Sequence, residues 1–456
     1  MIDTKIPALD MELDILGQQP LMRIYTQISL CFPVADQSEH PAIITTLETG
    51  LLRLSEAFPW VAGQVKCDAK EGSSDIFSVK PFEKTPRLVV KDLRDDPSAP
   101  TMEGLRKAGC PMSMFDENVI APRKTLPLGP DYSPDDPEPA LLFQLNFIEG
   151  GLILTVNAQH ACLDFTGQDE VIRLLSKACR DEPFTQEEIS TMNLDRKTIV
   201  PLLENYELGS ELDHQLVKAS PSTEQPTPPT PPPSSWACFS FSPQALSNLK
   251  REAMHDLHAS KEFVSTDDAL SAFVWQSVTR VRLDRVDAST STLFCRAVDV
   301  RTHLDVPKRY PGMLQNMTYS DSTLSQIAYE SLGQVALRLR RELYAPKLRQ
   351  RTQAMLTYLH NQDNKSVMSL TADVNPSTDI MLSSWAKTGL WGYDFGFGLG
   401  LPESVRRPRL EPCESLVYLL PKRPDGEITV AISLRDEDLD RLREDAKWKE
   451  SAVYIG

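Results

Sequence analysis

The sequence lacks the long apolar runs of a membrane protein. No segment approaches the roughly 18 consecutive apolar residues of a membrane-spanning helix. The longest candidate, between Leu141 and Val156, is interrupted by Asn146, Glu149 and two glycines. The chain also begins without the basic segment and apolar core of a secretory signal peptide. These two absences predict a cytoplasmic protein with no membrane partner.

Positive charge is also in short supply. With 48 basic and 64 acidic residues, the 456-residue chain has a net charge of -16 and a pI near 5.0. An acidic protein is a poor match for nucleic acid or an anionic membrane surface, because both repel it. We therefore expect neither as a partner, although a local basic patch would still allow a small anionic ligand to bind.

Paired cysteines are absent too. The eight cysteines are scattered without C-x-x-C spacing, which argues against a zinc site or a disulfide framework. They are typical of reduced, mostly buried thiols, and we expect no metal. Cys162 could be taken for a thiol nucleophile, but a reactive thiolate needs an electropositive, partly exposed setting. Its neighbours Ala161 and Leu163 indicate an apolar one.

Proline is plentiful, and its distribution divides the chain. The stretch 220–235 consists largely of Pro, Ser and Thr, so it cannot bury a core. The chain is also longer than the ~250–300 residues at which a single core usually stops growing. We predict an N-terminal domain at 1–215, a linker at 216–235 and a C-terminal domain at 236–456.

Hydrophobic periodicity predicts mixed α and β structure in both halves. The predicted strands cover 140–147, 152–158, 415–420 and 427–433. One predicted helix follows the second of these strands and another covers 327–343. A third begins at the capping-box pattern Ser265-Thr266-Asp267-Asp268. Each half is therefore predicted to be an α/β domain.

Two motifs indicate chemistry. His160 and Asp164 form an H-x-x-x-D pattern at the end of a predicted strand, where an imidazole and a carboxylate suit a general base with a supporting acid. Far downstream the chain has Asp394-Phe395-Gly396-Phe397-Gly398. The order and separation of the two motifs are more specific than either alone. A serine-hydrolase elbow, a kinase catalytic loop and a G-x-G-x-x-G motif are absent.

With these motifs the chain resembles the BAHD-type CoA-dependent acyltransferases, and more closely the fungal trichothecene 3-O-acetyltransferases. The closer likeness runs nearly end to end and includes the segments 24–30, 90–100, 114–118, 264–273 and 434–438. Phe397 departs from the common family pattern, in which Trp is usual. Close trichothecene-type relatives also lack that Trp, so the departure fits the subfamily.

The resemblance implies a fold of two similar CoA-dependent-acyltransferase domains, each a mixed sheet with flanking helices, with a channel between them. It implies transfer of an acetyl group from acetyl-CoA to the C3 hydroxyl of a trichothecene, directly in a ternary complex and without a metal. Such acetylation would detoxify the compound for the producing fungus. The partners would be these small molecules, and the protein would be a monomer.

His160 would be the general base, since its unperturbed pKa of ~6.5 leaves it mostly neutral at cytosolic pH. Asp164 could orient the imidazole as in a catalytic dyad, or hold the loop through an ion pair. The resemblance favours the pair and suggests Arg301 as the partner. It also suggests Ser383 as an oxyanion donor and Trp385 as a wall of the acceptor pocket.

Two further sets of residues complete the expected site. The capped helix start at Ser265 and Thr266 is a candidate contact for CoA phosphates. By resemblance, Asp394, Gly396 and Gly398 are expected to form a turn that shapes the channel without touching substrate.

Two other functions stay open at this point. One is the same chemistry on a different secondary alcohol, and the other is a protein that binds CoA esters or toxin without transfer. A peptide-forming condensation domain is disfavoured, because it usually has a second His before the motif and a Gly after the Asp. Those positions are Gln159 and Phe165 here.

Overall fold

The computed structural model describes residues 9–68, 76–126, 133, 136–218, 231–258 and 261–456. Their α-helices are α1 (His40–Ala57), α2 (Met102–Ala108), α3 (Glu117–Ile120), α4 (Phe165–Cys179), α5 (Gln186–Met192), α6 (Pro243–Asp256), α7 (Thr266–Arg282), α8 (Leu324–Tyr329), α9 (Leu332–Arg341), α10 (Ala345–Asn361), α11 (Asp436–Glu444) and α12 (Ala446–Ser451).

The β-strands of the same residues are β1 (Met11–Glu12), β2 (Tyr25–Pro33), β3 (Gln64–Asp68), β4 (Ile76–Lys80), β5 (Arg87–Asp92), β6 (Glu138–Pro139), β7 (Leu141–Ile148), β8 (Gly151–Gln159), β9 (Ser234–Phe241), β10 (Ser291–Asp299), β11 (Gln315–Thr323), β12 (Ile380–Ser384), β13 (Ser404–Arg406), β14 (Leu416–Leu419), β15 (Ile428–Arg435) and β16 (Val453–Tyr454).

These strands form three sheets. In the N-terminal half, a five-stranded sheet of order β13-β2-β8-β7-β5 lies beside a four-stranded sheet of order β1-β4-β3-β6. In the C-terminal half, seven strands have the order β11-β10-β12-β14-β15-β9-β16. Helices α1 and α4 pack together in the first half, and α6, α7 and α9 in the second. Both halves are mixed α/β, which confirms the predicted fold class.

The hairpin that leads to His160 is confirmed. Strands β7 and β8 pair antiparallel along their whole length, from Leu141 opposite Ala158 to Ile148 opposite Gly151. Gly150 has a φ of 76° in the connecting turn, a conformation that glycine adopts without a steric penalty. Because β8 ends at Gln159, His160 is the first residue after this buried central strand.

The predicted helices are confirmed except one. Helices α4 and α7 lie where the periodicity places them, and Ser265 and Asp268 form the reciprocal capping box of α7. The single helix predicted at 327–343 is wrong, because two helices, α8 and α9, occupy this region. Glu330 is extended between them, and the Ser331 hydroxyl starts α9 by accepting a bond from the Gln334 amide. The predicted C-terminal strands correspond to β14 and β15.

The two halves share structure across the predicted domain boundary. Strand β13 comes from the C-terminal half but pairs with β2 in the N-terminal sheet, with Val405 opposite Leu30. Within the predicted linker, 219–230 lie outside the described residues. Leu216 bridges to Met368, and Ser234 already begins β9. We therefore propose that the second domain starts at Ser234 and lends one strand to the first.

Two further expectations concern membrane-spanning helices and the burial of the cysteines. None of their helices is both long and apolar enough to cross a bilayer. Four of the eight cysteines are buried and Cys67 is exposed.

The start of α4 touches the C-terminal half so closely that Gly167 has no room for a side chain. A Cβ there would lie 1.9 Å from the Pro311 carbonyl oxygen. Gly167→Ala should therefore lower the free energy of unfolding by about 1–3 kcal/mol through overpacking, although alanine favours helix. Urea unfolding measures the change. Gly392→Ala is the control, because nothing lies within 4 Å of its Cβ position. Equal stability of the Gly167 variant and the wild-type protein would contradict this close approach.

Candidate active site

A cavity of about 550 Å³ lies between the two halves. The N-terminal half contributes the start of α4, including Phe165 and Asp169, and the C-terminal half contributes residues of α7, β10 and β12, with Trp385 beyond the end of β12. Asp164, Ser265, Ser383 and Trp385 of the predicted site line this cavity; His160, Thr266 and the D-F-G-x-G residues do not. The cavity thus collects part of the predicted site.

His160 is held in one tautomer. Its backbone N–H donates to Ile24 at 2.7 Å, and its ring Nδ1 lies 3.0 Å from the Leu163 carbonyl oxygen. A carbonyl can only accept, so Nδ1 carries the proton and Nε2 has a free lone pair in the neutral ring. Burial lowers the pKa of the His160 imidazole below its ordinary value, against the opposing effects of the Leu163 bond and the Asp164 charge. The ring is therefore neutral at pH 7 and able to take a proton.

Asp164 does not serve His160, because its carboxylate is fully engaged elsewhere. One oxygen accepts from the Gly167 amide at 2.9 Å and caps α4, while the other accepts from the Leu314 amide at 2.9 Å. Each oxygen also accepts from one terminal nitrogen of Arg301 at 2.8 Å. The expected Asp164–Arg301 pair is therefore present, in bidentate form, and joins the two halves.

The hydrogen-bond donors of Arg301 are also fully used. Its side chain is 0% exposed, and its Nε donates to the Tyr310 carbonyl oxygen at 2.8 Å. The terminal nitrogens also donate to Asp299 at 2.9 Å and to the Gly312 carbonyl oxygen at 2.7 Å. With the two bonds to Asp164, all five guanidinium N–H groups have acceptors. Such complete pairing offsets the cost of burying this charge.

Arg301 contacts the loop 310–314 through the Tyr310 and Gly312 carbonyl oxygens. A second carboxylate of the N-terminal half, Asp14, binds the same loop. Asp14 is buried, accepts from the Tyr310 hydroxyl, and accepts from the Met313 amide at 2.9 Å. Arg196 lies 3.4 Å from the other side of Asp14 and also donates to the Cys162 carbonyl oxygen inside the H-x-x-x-D motif. The loop 310–314 is thus fixed against the N-terminal half at both ends.

Ser383 and Trp385 form the opposite side of the cavity. The Trp385 indole N–H donates to the Ser383 hydroxyl oxygen at 3.1 Å, so the serine proton is free to be donated to another group. Trp385 also stacks on Phe165 at a centroid distance of 3.6 Å and meets Tyr418 at 4.9 Å. An aromatic wall from both halves therefore positions a small hydroxyl group at the cavity.

The start of α7 is occupied by its own carboxylates. The Ser265 hydroxyl and amide both donate to Asp268, at 2.7 and 2.8 Å. Asp267 accepts from the Ser384 hydroxyl at 2.6 Å, and Arg296 donates to Asp268 at 2.8 Å. These contacts use the Ser265 donors for helix capping, while Arg296 pairs with both aspartates. The contact of Ser265 and Thr266 with CoA stays a prediction.

Cys162 has no features of a nucleophile. It is fully buried, and burial raises the pKa of its thiol to about 12. A neutral, enclosed thiol does not attack a thioester. Within the described residues, no group of three His, Cys, Asp or Glu side chains is arranged to hold a metal ion.

The D-F-G-x-G motif is attached to the far end of α4. Arg180, just after the helix, donates to the Asp394 carbonyl oxygen, and the Asp394 carboxylate accepts from the Gly396 amide at 2.8 Å. Gly396 and Gly398 have φ values of 67° and 79°, which explains the glycines. Phe397 stacks on Phe395 at 5.5 Å. The motif thus forms a tight turn away from the cavity wall.

Asp169 is a cavity residue that sequence reasoning missed. It accepts from the Gly389 amide at 3.2 Å and the Tyr393 hydroxyl at 3.1 Å, which fastens the segment between β12 and the D-F-G-x-G motif to α4. Burial raises the pKa of its carboxyl to about 6. The sequence around an aspartate one turn into a helix does not indicate contacts with distant residues such as Gly389 and Tyr393. These contacts are visible only in the folded structure, where the C-terminal half packs against α4.

Comparisons with known proteins agree with this geometry. A family model described as the Transferase family matches residues 119–448, and one described as the trichothecene 3-O-acetyltransferase-like N-terminal domain matches residues 24–179. The chain is 64% identical to trichothecene 3-O-acetyltransferase TRI101 of Fusarium sporotrichioides, over 99% of both chains. It is 50% identical to the O-acetyltransferase dmxR13 of Cryptosporiopsis sp., over 98% of each.

A solved structure extends the comparison. The crystal structure of F. graminearum TRI101 complexed with coenzyme A and deoxynivalenol superposes with a TM-score of 0.94 at 61% identity, covering 98% of this chain and 100% of that one. Two mixed α/β halves around a central cavity are the architecture of CoA-dependent acyltransferases. The chain belongs to the Transferase family of BAHD-type acyltransferases and is itself an acyltransferase.

The buried ion pair can be tested by a double-mutant cycle. Asp164→Asn and Arg301→Met should each lower the free energy of unfolding by about 3–5 kcal/mol, because each leaves its partner buried without compensation. The double variant should cost less than the sum, as measured by urea unfolding. Arg106→Met is the control, since the pair of Arg106 with Glu403 also joins the halves. The Arg106 and Glu403 side chains are 51% and 40% exposed, so loss of this pair should lower the free energy of unfolding by under about 1 kcal/mol. Strict additivity would contradict the coupling.

Asp169 gives a pH-dependent prediction. Its pKa is about 6 in the folded protein and near ~3.9 in an unfolded chain, so the folded state loses stability as the pH rises between these values. Asp169→Asn removes the buried charge, so at pH 7.5 it should unfold with a free energy about 1–2 kcal/mol higher than the wild-type protein. The advantage should shrink at pH 4.5.

The control for Asp169 has the opposite sign. Bonds from Ser289 lower the pKa of the exposed Asp287, so Asp287→Asn should make the protein slightly less stable, by nearly the same amount at pH 7.5 and pH 4.5, because both values lie above the pKa of this carboxyl. Thermal unfolding at both pH values compares the two variants. A constant difference between Asp169→Asn and the wild-type protein at both pH values would show that the carboxyl does not titrate in this range.

Proposed function

We propose that this acyltransferase transfers an acetyl group from acetyl-CoA to the C3 hydroxyl of trichothecenes, with His160 as the general base. The near full-length identity to trichothecene 3-O-acetyltransferase TRI101 supports the acceptor. The Nδ1 bond of His160 to Leu163 supports the chemistry, because it leaves Nε2 as the one ring nitrogen able to take a proton. This second observation is the one on which the mechanism depends.

The reaction needs only this base and an oxyanion donor. His160 Nε2 takes the hydroxyl proton as the acceptor oxygen attacks the thioester carbonyl carbon. The Ser383 hydroxyl donates to the tetrahedral oxyanion, which is favourable because its own oxygen is already oriented by Trp385. The intermediate then expels the CoA thiolate, which receives the proton from the imidazolium. No covalent enzyme intermediate forms.

Asp164 has a positioning role in this proposal. It is engaged by Arg301, Gly167 and Leu314, so it holds the loop whose Leu163 carbonyl oxygen fixes the His160 ring. Loss of activity on changing Asp164 would follow from movement of that loop. The dyad interpretation has no support in the hydrogen bonds of either side chain.

The phosphates of acetyl-CoA have better partners than Ser265 and Thr266. Arg340 and Lys387 line the cavity, Lys387 is exposed, and the Arg340 side chain is 44% exposed. Both can reach an anionic ligand at the opening of the cavity without being desolvated. We therefore assign the phosphate contacts to these two side chains and the capping role to Ser265.

The same chemistry on another secondary alcohol is the second candidate. The relative that is 50% identical is named only as an O-acetyltransferase, so similarity at that level supports the chemistry without specifying the acceptor. Turnover with deoxynivalenol against other secondary alcohols discriminates between the two. A cytoplasmic, monomeric enzyme is part of the same proposal, and size-exclusion chromatography with light scattering tests the monomer.

The test of function is acetyl transfer by purified protein. Incubation with acetyl-CoA and deoxynivalenol should release free thiol and add one acetyl group to the acceptor. His160→Ala should reduce kcat/KM by about 10²–10⁴-fold, the usual contribution of a general base. His258→Ala is the control, because it removes an exposed histidine. The acid limb of kcat/KM against pH should lie below ~6.5, since the pKa of His160 is lowered.

Other outcomes would change the proposal in defined ways. Thiol release without an acetylated product would indicate thioester hydrolysis. Multiple turnover by His160→Ala at the wild-type rate would remove His160 as the base. Folded protein that leaves both substrates unchanged would keep the family and overturn the trichothecene acceptor.

A further inference from the structure

Arg407 is a buried cation for which the described residues provide no carboxylate partner. It follows β13 and is 2% exposed. Its Nη1 donates to the Pro408 carbonyl oxygen at 2.9 Å and its Nη2 to the Thr125 hydroxyl at 3.3 Å. Within the part of the chain that the structure describes, its Nε has no hydrogen-bond partner and no carboxylate oxygen lies within 4.0 Å of the guanidinium. Buried arginines are usually paired with an acid, so this one requires an explanation.

The contacts of Arg407 lead directly to the loop of His160. Thr125, which accepts from Arg407, also accepts from the Tyr25 amide at 2.9 Å through its carbonyl oxygen. The preceding residue, Ile24, accepts from the His160 amide at 2.7 Å. Thr125 and His160 are therefore bound to adjacent backbone positions at the start of β2, which brings the guanidinium and the imidazole to the same end of the strand.

The other face of Arg407 meets the aromatic wall of the cavity. Its guanidinium lies over the Tyr418 ring at 4.9 Å, and Tyr418 meets Trp385, which stacks on Phe165. A cation on an aromatic face is attracted to the ring without being neutralised. Among the described residues the guanidinium therefore has no carboxylate in direct contact, and it lies between the cavity wall and the start of β2.

We propose that Arg407 is a positioning residue for acyl transfer, whose buried charge adds to the effect of burial in keeping the His160 imidazole neutral before reaction and favours return of the imidazolium proton to the departing CoA thiolate. The catalytic consequence rests on the proposed function. The proton taken by Nε2 from the hydroxyl ends on the thiolate sulfur, so the imidazole is regenerated and the atoms balance.

The charges around His160 make this effect measurable. The Asp164 charge raises the pKa of the imidazole and the Arg407 charge lowers it, while burial has the largest effect. The charged groups on the elements packed around the ring include Asp164 with its partner Arg301, and Arg407. They also include Arg196 at the Cys162 carbonyl oxygen, Arg123 over the Tyr25 ring, and Glu138 with its partner Arg23. Glu117 reaches Arg407 only through Thr125, and Tyr25 is neutral because burial raises the pKa of its phenol. Asp164 stays paired with Arg301 when Arg407 is removed, so the change in the His160 pKa would report the loss of the Arg407 charge.

The experiment is an NMR titration of His160 in protein labelled at the histidine Cε1 carbon. The chain has seven histidines, and the signal missing from His160→Ala assigns the one of interest. Arg407→Met should move the His160 midpoint to higher pH, and the acid limb of kcat/KM should move with it. Arg407→Lys keeps the charge and should retain the wild-type midpoint.

Arg406→Met is the matched control. Arg406 is adjacent, equally buried at 2% exposure, and also without a carboxylate within 4.0 Å among the described residues. It donates instead to the carbonyl oxygens of Cys110 at 2.8 Å and Gly109 at 3.3 Å, away from His160. Its replacement should leave the His160 midpoint unchanged, so a general loosening of the structure is separated from a loss of local charge.

The outcomes decide the inference independently of the reaction. An unchanged His160 midpoint in folded Arg407→Met, or an equal shift in Arg406→Met, would overturn the role of Arg407. If Arg407→Met does not fold, Arg407→Gln, which retains a donor for Thr125, takes its place with the same expectation. Wild-type acetyl transfer by His160→Ala would overturn the proposed function, while the titration would still report whether the two charges interact.

Discussion

The bidentate contact between Asp164 and Arg301 is the interaction on which the rest of this structure depends. Removal of two charges from water costs several kcal/mol for each ion, so the pair is tolerable only because every oxygen and every N–H has a partner. That requirement fixes the helix start, the loop 310–314 and the end of β10 at once. The ion pair also fixes the His160 ring, because the ring bonds to the carbonyl oxygen of Leu163, the residue before Asp164.

Helix α4 transmits this constraint between the two sequence motifs. Its first residue follows Asp164, its second turn carries Asp169, and just beyond its last turn Arg180 holds the Asp394 carbonyl oxygen. The H-x-x-x-D and D-F-G-x-G motifs are therefore attached to opposite ends of one helix. The two motifs are therefore linked mechanically, and the second can affect the site without a substrate contact.

Local signals made much of the fold predictable. The hairpin before His160 follows from two apolar runs around Gly150, and the start of α7 follows from a capping box. Contacts between distant segments were not predictable, because neither β13 crossing to β2 nor the Asp169 contacts leave a local pattern. The Ser265 prediction is confirmed only in its local part, the helix cap, in which Ser265 bonds to Asp268. A contact with CoA phosphates depends on distant segments and stays a prediction.

The electrostatics of the site follow from which carboxylate is already committed. An aspartate bonded to imidazole would make it a stronger base, as in a dyad, but here Arg301 has taken that carboxylate and a backbone carbonyl orients the ring instead. A thioester is an activated acyl donor, so a neutral imidazole is sufficient for the proposed reaction. A more basic imidazole would be protonated at neutral pH and would retain the proton that the thiolate needs. Burial and the Arg407 charge both oppose protonation of the His160 imidazole. The environment therefore favours return of the proton to the CoA thiolate over a strongly basic imidazole.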